Sequence, residues 1–190
     1  MKKIGIFAGA FDPIHDGHID VARAARDSLG LDSVYLAVEQ SPWSNKQPAE
    51  VTLRRRMVDI ALDHQAGLEH IILSGVRFDI PHTLPELQAQ FPDVALHFIM
   101  GADVFMRMDR AQWPGLDTLL QHTLIIFSRG DVTEGQIHAH AETIGTHVHV
   151  LESPRPHHSS TDVRINIHAK HVWVPAAVAQ FIDDNGLYLS

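Results

Sequence analysis

Cysteine is absent from all 190 residues. Disulfides, thiolate zinc sites and cysteine nucleophiles are excluded with it. Long apolar runs are missing too. None approaches the ~20 residues that a membrane span requires, although hydrophobic residues make up 45% of the chain. The opening MKKIGIFAGAF imitates the start of a signal peptide, but Asp12-Pro13 breaks it at once and no small-residue cleavage pattern follows. A cytoplasmic protein fits these absences. Positive charge is scarce as well: 15 Lys and Arg stand against 23 Asp and Glu, a net charge of −8. That argues against nucleic acid held by overall basic charge. An anionic ligand must be caught by local groups instead. Histidine, by contrast, is abundant at 15 residues; surface drift and a dedicated metal site both account for that number.

Short apolar, β-rich runs recur at Ile4–Ala8, Ser33–Val38, His70–Leu73, Leu96–Met100, Thr123–Phe127 and His147–Leu151. Helical patterns lie between several of them. Ile19, Ala22, Ala25, Arg26 and Leu29 make one stripe, stopped by Gly30. Leu53, Met57, Ile60 and Ala61 make another, which leaves Arg54, Arg55 and Asp59 off the stripe. Alternating strands and helices predict βαβ units: an α/β, Rossmann-like open parallel sheet with helices on both faces. Ser41–Glu50 and Arg129–Gly135 have loop composition. The end differs, because two helical patterns follow one another without a strand. The expected organisation is one domain over 1–190, with a sheet core over 1–155 and a small C-terminal helical lobe over 156–190.

Ligands of open parallel sheets bind at the carboxyl ends of strands. FAGAFDPIHDGH (7–18) sits at such an end and runs into a helix. Gly9 lets a ligand approach the backbone, and Pro13 stiffens the turn. The helix N-terminus favours an anion. His15 and His18, three apart, can face one phosphate; a metal pair and a polar turn are the alternatives. HHSSTDVR (157–164) offers a second anion site. Ser159, Ser160 and Thr161 can cap a helix and offer hydroxyls, and Arg164 returns to the side of Thr161. An ordinary capped helix is the plain alternative.

Together these stretches resemble a known family. GAFDPIHDGH is similar to the HxGH motif of the nucleotidylyltransferase superfamily, and SSTDVR to its serine-rich partner signature. Within that superfamily the chain resembles the nicotinate (nicotinamide) mononucleotide adenylyltransferases. IMGADVFMRMDRAQW, LIIFSRG and VPAAVAQFIDDNGLY extend the likeness over nearly the whole chain. The resemblance implies transfer of AMP from ATP to nicotinate mononucleotide or nicotinamide mononucleotide, with pyrophosphate released. It implies His15, His18 and Arg164 on the ATP phosphates, with Ser159, Ser160 and Thr161 beside Arg164. Gly101 and Asp103 would contact the ATP ribose; Gly9, Ala10 and Phe11 would line the nucleotide path. Magnesium would arrive with ATP. On the acceptor side stand Lys46, Arg54, Asp79, Thr83, Trp113 and Arg129, with Trp113 stacking on the pyridine ring. A homo-oligomer is compatible with the family. Near the acceptor the chain departs from the family pattern: Phe78, Asp79 and Ile80 replace serine-tyrosine-threonine. An acidic Asp79 would oppose a nicotinate carboxylate unless it faces away, and the amide of nicotinamide mononucleotide would tolerate it better.

Other classes make distinct demands. A sister transferase for phosphopantetheine or a polyol phosphate would keep the ATP half and differ at Ser41–Glu50 and Phe78–Thr83. A histidine-ligated metal hydrolase would draw on His15/His18, His138/His140 and His147/His149, yet no acid stands beside them as a general base. A nucleotide-binding regulator with a dead site need not keep both motif histidines and Arg164.

Overall fold

The computed structural model describes residues 1–42, 48–128, 132–155, 159–170 and 173–189, with 168–170 described as backbone alone. Six strands form one sheet: β1 (Lys2–Gly9), β2 (Ser33–Val38), β3 (Leu68–Ile71), β4 (Val94–Gly101), β5 (Thr123–Ser128) and β6 (Val148–Glu152). Every pairing is parallel, in the order β3-β2-β1-β4-β5-β6. The order reverses between β1 and β4, which opens a crevice where the chains leave Gly9 and Gly101.

Eight helices among the described residues cover the sheet. On one face lie α1 (Asp16–Leu29), α2 (Val51–Leu62), α7 (Ser160–Lys170) and α8 (Ala176–Asp184). Their Ala22, Ala25, Met57, Val58, Val163, Val178 and Ile182 pack with Val34, Leu36, Ile99 and Ile125 of the sheet. On the other lie α3 (Ile80–Gln90), α4 (Ala102–Phe105), α5 (Leu116–Leu119) and α6 (Glu134–Thr143). Here Leu84, Leu87, Phe105, Leu116 and Ile137 meet Ile4, Ile6, Phe98 and Ile126. Alternate residues of each central strand feed opposite cores, so the strands read as continuous apolar runs. Gly5 is needed where β1 faces the first core: a Cβ there would lie 2.8 Å from Ile99 Cδ1 and 3.0 Å from Val34 Cγ2. Gly30 ends α1 in the left-handed region at φ 60°.

The Rossmann-like, doubly wound expectation is met, and three local ones are corrected. β3 runs two residues earlier than His70–Leu73, and Ile72 is exposed. The loop expected over Arg129–Gly135 gives way to α6 at Glu134, because Thr133 caps that helix by accepting the Gln136 amide. Arg54 is not off the α2 stripe. It is 1% exposed and among the largest buried side chains of the protein.

Candidate active site

The turn after β1 builds the floor of the crevice. Phe11 takes a positive φ of 46°, and the Asp12-Pro13 bond is cis. This turn delivers His15 as the N-cap of α1 and His18 three residues into it. The helix therefore begins after His15. The two imidazoles stack with centroids 3.7 Å apart and planes 29° apart. The His15 backbone N–H donates to His18 Nδ1 over 3.2 Å. With Nδ1 accepting, the neutral His18 ring carries its proton on Nε2 and presents it as a donor. Phe11 supports His18 from the side, edge to face at 5.0 Å. The ring of Phe11 is 2% exposed, so it props the histidine from within the core. That corrects the expectation that Phe11 lines the nucleotide path. At Gly9 a Cβ would make only ordinary contact, 3.4 Å from the Phe11 ring. The folded chain itself thus leaves room there.

The serine-rich stretch closes on this turn. Ser159 Oγ accepts the Asp162 amide and caps α7. Ser160 Oγ donates to the Pro13 carbonyl at 3.2 Å. Arg164 donates to the Asp12 carbonyl at 2.5 Å and to Thr161 Oγ1 at 3.2 Å. The two distant motifs are thereby joined, and the start of α7 is held against the turn that leads into α1. Across the crevice, Gly101 caps α4 and Asp103 lies in its first turn. The Asp103 carboxylate is 66% exposed. A Cβ on Gly101 would stand 2.5 Å from its Oδ1. Glycine is what allows the carboxylate to lie over the end of β4.

The expected acceptor residues divide. Arg54 is spent inside the protein: Nε donates to the Ala49 carbonyl at 2.7 Å, Nη1 to those of Ala10 and Glu39 at 2.7 Å, and Nη2 to that of Gln40 at 2.9 Å. It clamps the ends of β1 and β2 to the start of α2, which corrects its reading as an acceptor contact. Thr83 is 2% exposed, and its hydroxyl accepts the Asp79 amide at 3.0 Å. It serves the start of α3 instead of a ligand. The Asp79 carboxylate points outward to exposed His82, 2.5 Å away. Trp113 is half-buried against the second core, as are Phe78, Met106 and Leu73. Lys46 and Arg129 lie outside the described residues.

Known proteins resemble this chain in sequence and fold. Residues 6–166 match the cytidylyltransferase-like family. A protein of Neisseria meningitidis named "probable nicotinate-nucleotide adenylyltransferase" is 33% identical, the match covering 99% of either chain. One of Clostridium botulinum with the same name is 34% identical over 99% of this chain and 98% of its own. The chain belongs to the nicotinate-nucleotide adenylyltransferase family. In fold it is similar to the Plasmodium falciparum nicotinic acid mononucleotide adenylyltransferase, solved with NaAD, at TM-score 0.79 and 17% identity over 99% of this chain.

Three residues that tie down the loops around this site, Asp12, Tyr188 and Glu39, were not among the candidates in the sequence. Asp12, 6% exposed, accepts the Tyr188 hydroxyl at 2.7 Å and the Ala49 amide at 3.1 Å, both on Oδ1. Its Oδ2 lies 3.5 Å from Arg164 Nη1. Tyr188 is pushed well above the usual phenol range by burial, then by the charge of Asp12. Both lie in stretches that carry the family resemblance, Asp12 in GAFDPIHDGH and Tyr188 at the end of VPAAVAQFIDDNGLY, and those positions were the available signal. Glu39, at the end of β2, accepts the Phe78 amide at 2.9 Å. Its carboxyl is raised by burial, against the lowering effects of that bond, Arg77 and Arg54.

Proposed function

We propose that this adenylyltransferase moves AMP from ATP to nicotinate mononucleotide, making the dinucleotide precursor of NAD and releasing pyrophosphate. A phosphate oxygen of the mononucleotide attacks the α-phosphorus, and the bond to the β-phosphate oxygen breaks. No protein nucleophile is needed, so a chain without cysteine loses nothing. Catalysis is positioning plus charge stabilisation. His18, its Nε2 proton set by the His15 amide, donates to the oxygens of the α-phosphate where charge develops. His15, itself only 2% exposed, stacks behind it and holds the His18 ring in place at the phosphate site. Arg164, with Ser159, Ser160, Thr161 and the first-turn amides of α7, holds the β- and γ-phosphates and the leaving pyrophosphate. Gly9 and Ala10 let the nucleotide lie close to the backbone, and Gly101 and Asp103 take the ribose. Trp113 offers its face to the pyridine ring, and Lys46 and Arg129 are the cations for the acceptor phosphate. Magnesium enters as part of the ATP substrate, coordinated mainly by phosphate oxygens and water. Among the described residues no three His, Asp or Glu side chains stand together as a metal cluster. No helix of the described residues is long and apolar enough to cross a membrane. The cysteine-free composition fits a cytoplasmic enzyme.

The observation that carries this reading is the stacked His15–His18 pair at the N-terminus of α1, with Arg164 tied to the same turn. The outward pairing of Asp79 with His82 also supports a nicotinate acceptor, since the feared repulsion is directed into solvent. The test is pyrophosphate release from magnesium-ATP with nicotinate mononucleotide, nicotinamide mononucleotide, phosphopantetheine and a polyol phosphate in turn. Nicotinate mononucleotide is expected to turn over fastest. His18→Ala is expected to lower kcat by about 10²–10³. Turnover of another acceptor alone would replace the acceptor assignment. Full activity in the variant would remove His18 from the chemistry.

A further inference from the structure

Tyr188 stands 176 residues beyond Asp12 in sequence, yet its hydroxyl reaches Asp12 Oδ1 at 2.7 Å. The chain is turned back to make this contact. Gly186 at φ 59° and Tyr188 at φ 60° both occupy the left-handed region. For tyrosine that conformation is costly, of order 1–3 kcal/mol, and persists only where surrounding structure imposes it. The surroundings are α8, whose Val178 and Ile182 are fully buried against the core that also holds Met57 and Val58 of α2. The C-terminal segment is thus anchored before it delivers its phenol to the turn after β1.

Asp12 has more than one claimant. Its carboxylate meets the Tyr188 hydroxyl, the Ala49 amide and the Arg164 guanidinium, and its carbonyl takes an Arg164 N–H as well. Arg164 lies 3.5 Å from the carboxylate, longer than a direct charge-assisted hydrogen bond. A carboxylate supplied with two neutral donors competes less strongly for a cation than one left with fewer.

We propose that Tyr188 is a positioning residue for ATP: by donating to Asp12 it shares that carboxylate's charge and leaves Arg164 available to the triphosphate. Through Ala49 the same carboxylate fixes the approach to α2. Burial keeps the Tyr188 phenol protonated throughout the working pH range, so it acts as a permanent donor. The proposal rests on the reading that Arg164 holds ATP phosphates.

Equilibrium titration of the full chain with magnesium-ATP tests it without an acceptor. Tyr188→Phe removes one hydroxyl and keeps the ring. It is expected to weaken magnesium-ATP binding about tenfold, the scale of one hydrogen bond to a charged group. In turnover, the KM for ATP rises by a similar factor, while that of the mononucleotide changes by less than about twofold. Asp12→Asn in the Tyr188→Phe background is expected to restore ATP binding. Asparagine keeps an oxygen for the Ala49 amide and carries no charge to hold Arg164. A purely structural role predicts the opposite: the double variant binds ATP less well than Tyr188→Phe alone. That result, or ATP affinity within about twofold in Tyr188→Phe, overturns the proposal. Tenfold weaker ATP binding in a chain that adenylylates neither mononucleotide upholds it and overturns the acceptor assignment alone.

Discussion

Arg54 separates a ligand contact from a structural clamp, and the two roles fail differently. Its guanidinium is 1% exposed and donates to four main-chain carbonyls, those of Ala10, Glu39, Gln40 and Ala49. Burial opposes its charge most strongly, and Asp12 is the largest influence in its favour. In Arg54→Ala each carbonyl loses a charged donor. A buried polar group left unpaired costs ~1–3 kcal/mol. Gln40 is exposed, so its carbonyl can turn to water. Water entering the vacated space recovers part of the remainder, while the lost aliphatic stem adds a packing cost. The net expectation is ~3–5 kcal/mol, the range seen when one partner of a buried charged network is removed. For a chain of this size that lowers Tm by roughly 10 °C. Arg54→Lys keeps the charge, but a point-like ammonium cannot reach carbonyls spread around a planar fork. It should lose about half as much. The assays are urea unfolding and steady-state kinetics for each substrate. If Arg54→Ala costs under about 1 kcal/mol and raises the mononucleotide KM more than tenfold, the clamp is wrong and the side chain reaches the acceptor.

Three further expectations follow from single contacts. Gly101→Ala pushes the Asp103 carboxylate aside, since the new Cβ would stand 2.5 Å from Oδ1; the KM for ATP should rise about tenfold with Tm nearly unchanged, and an unaltered KM would detach Asp103 from the ribose. Gly5→Ala places a Cβ 2.8 Å from Ile99 Cδ1 in a packed core; overpacking should cost ~1–3 kcal/mol in urea unfolding, and an unchanged midpoint would refute that crowding. Glu39 has a folded pKa raised above 4.5, chiefly by burial, so its native form binds the proton more tightly than the unfolded chain does. Its contribution to stability therefore falls as pH rises from the unfolded value through the folded one. Glu39→Gln, which keeps an acceptor for the Phe78 amide, should flatten that decline; parallel stability-against-pH curves for parent and variant would count against it.

The fold was legible because both cores draw on continuous apolar strands. Ser33–Val38 is matched end to end, bounded by Asp32 before it and Glu39 after it. β3 was displaced in the reading for a physical reason. His70 is half-buried on the face that Leu68 shares, toward α2, with Asp59 2.7 Å from its Nδ1. Its neighbour Glu69 is exposed on the strand, while the apolar Ile72 beyond the strand lies in solvent. Hydropathy alone then shifts the strand toward Ile72. The closeness of His15 to His18 and the capped start of α7 were equally legible, the first from a spacing of three and the second from the serines before the helix. Arg54 was not. A helical wheel assigns a charged residue to the outside unless carbonyls from other elements wait inside, and those come from the ends of β1 and β2 and the approach to α2. Thr83 was misplaced likewise, because a hydroxyl that caps its own helix looks in sequence like one offered to a ligand.

What unites the residues missed is that each serves the main chain or another side chain. Arg54 holds carbonyls at the ends of β1 and β2, Glu39 holds the Phe78 amide, and Asp12 holds the Ala49 amide and the Tyr188 hydroxyl. These contacts converge on the carboxyl ends of β1 and β2, where an open parallel sheet has the fewest hydrogen-bond partners of its own. The loops there cannot rely on strand pairing, so buried charges tie them down. Under the proposed function, placing His18 and Arg164 against one phosphate chain needs those loops fixed to within about half an ångström. The charges buried beneath the site, rather than those exposed in it, supply that rigidity, and under the proposed function they are what would let a chain of net charge −8 hold Arg164 and the two histidines ready for an anion.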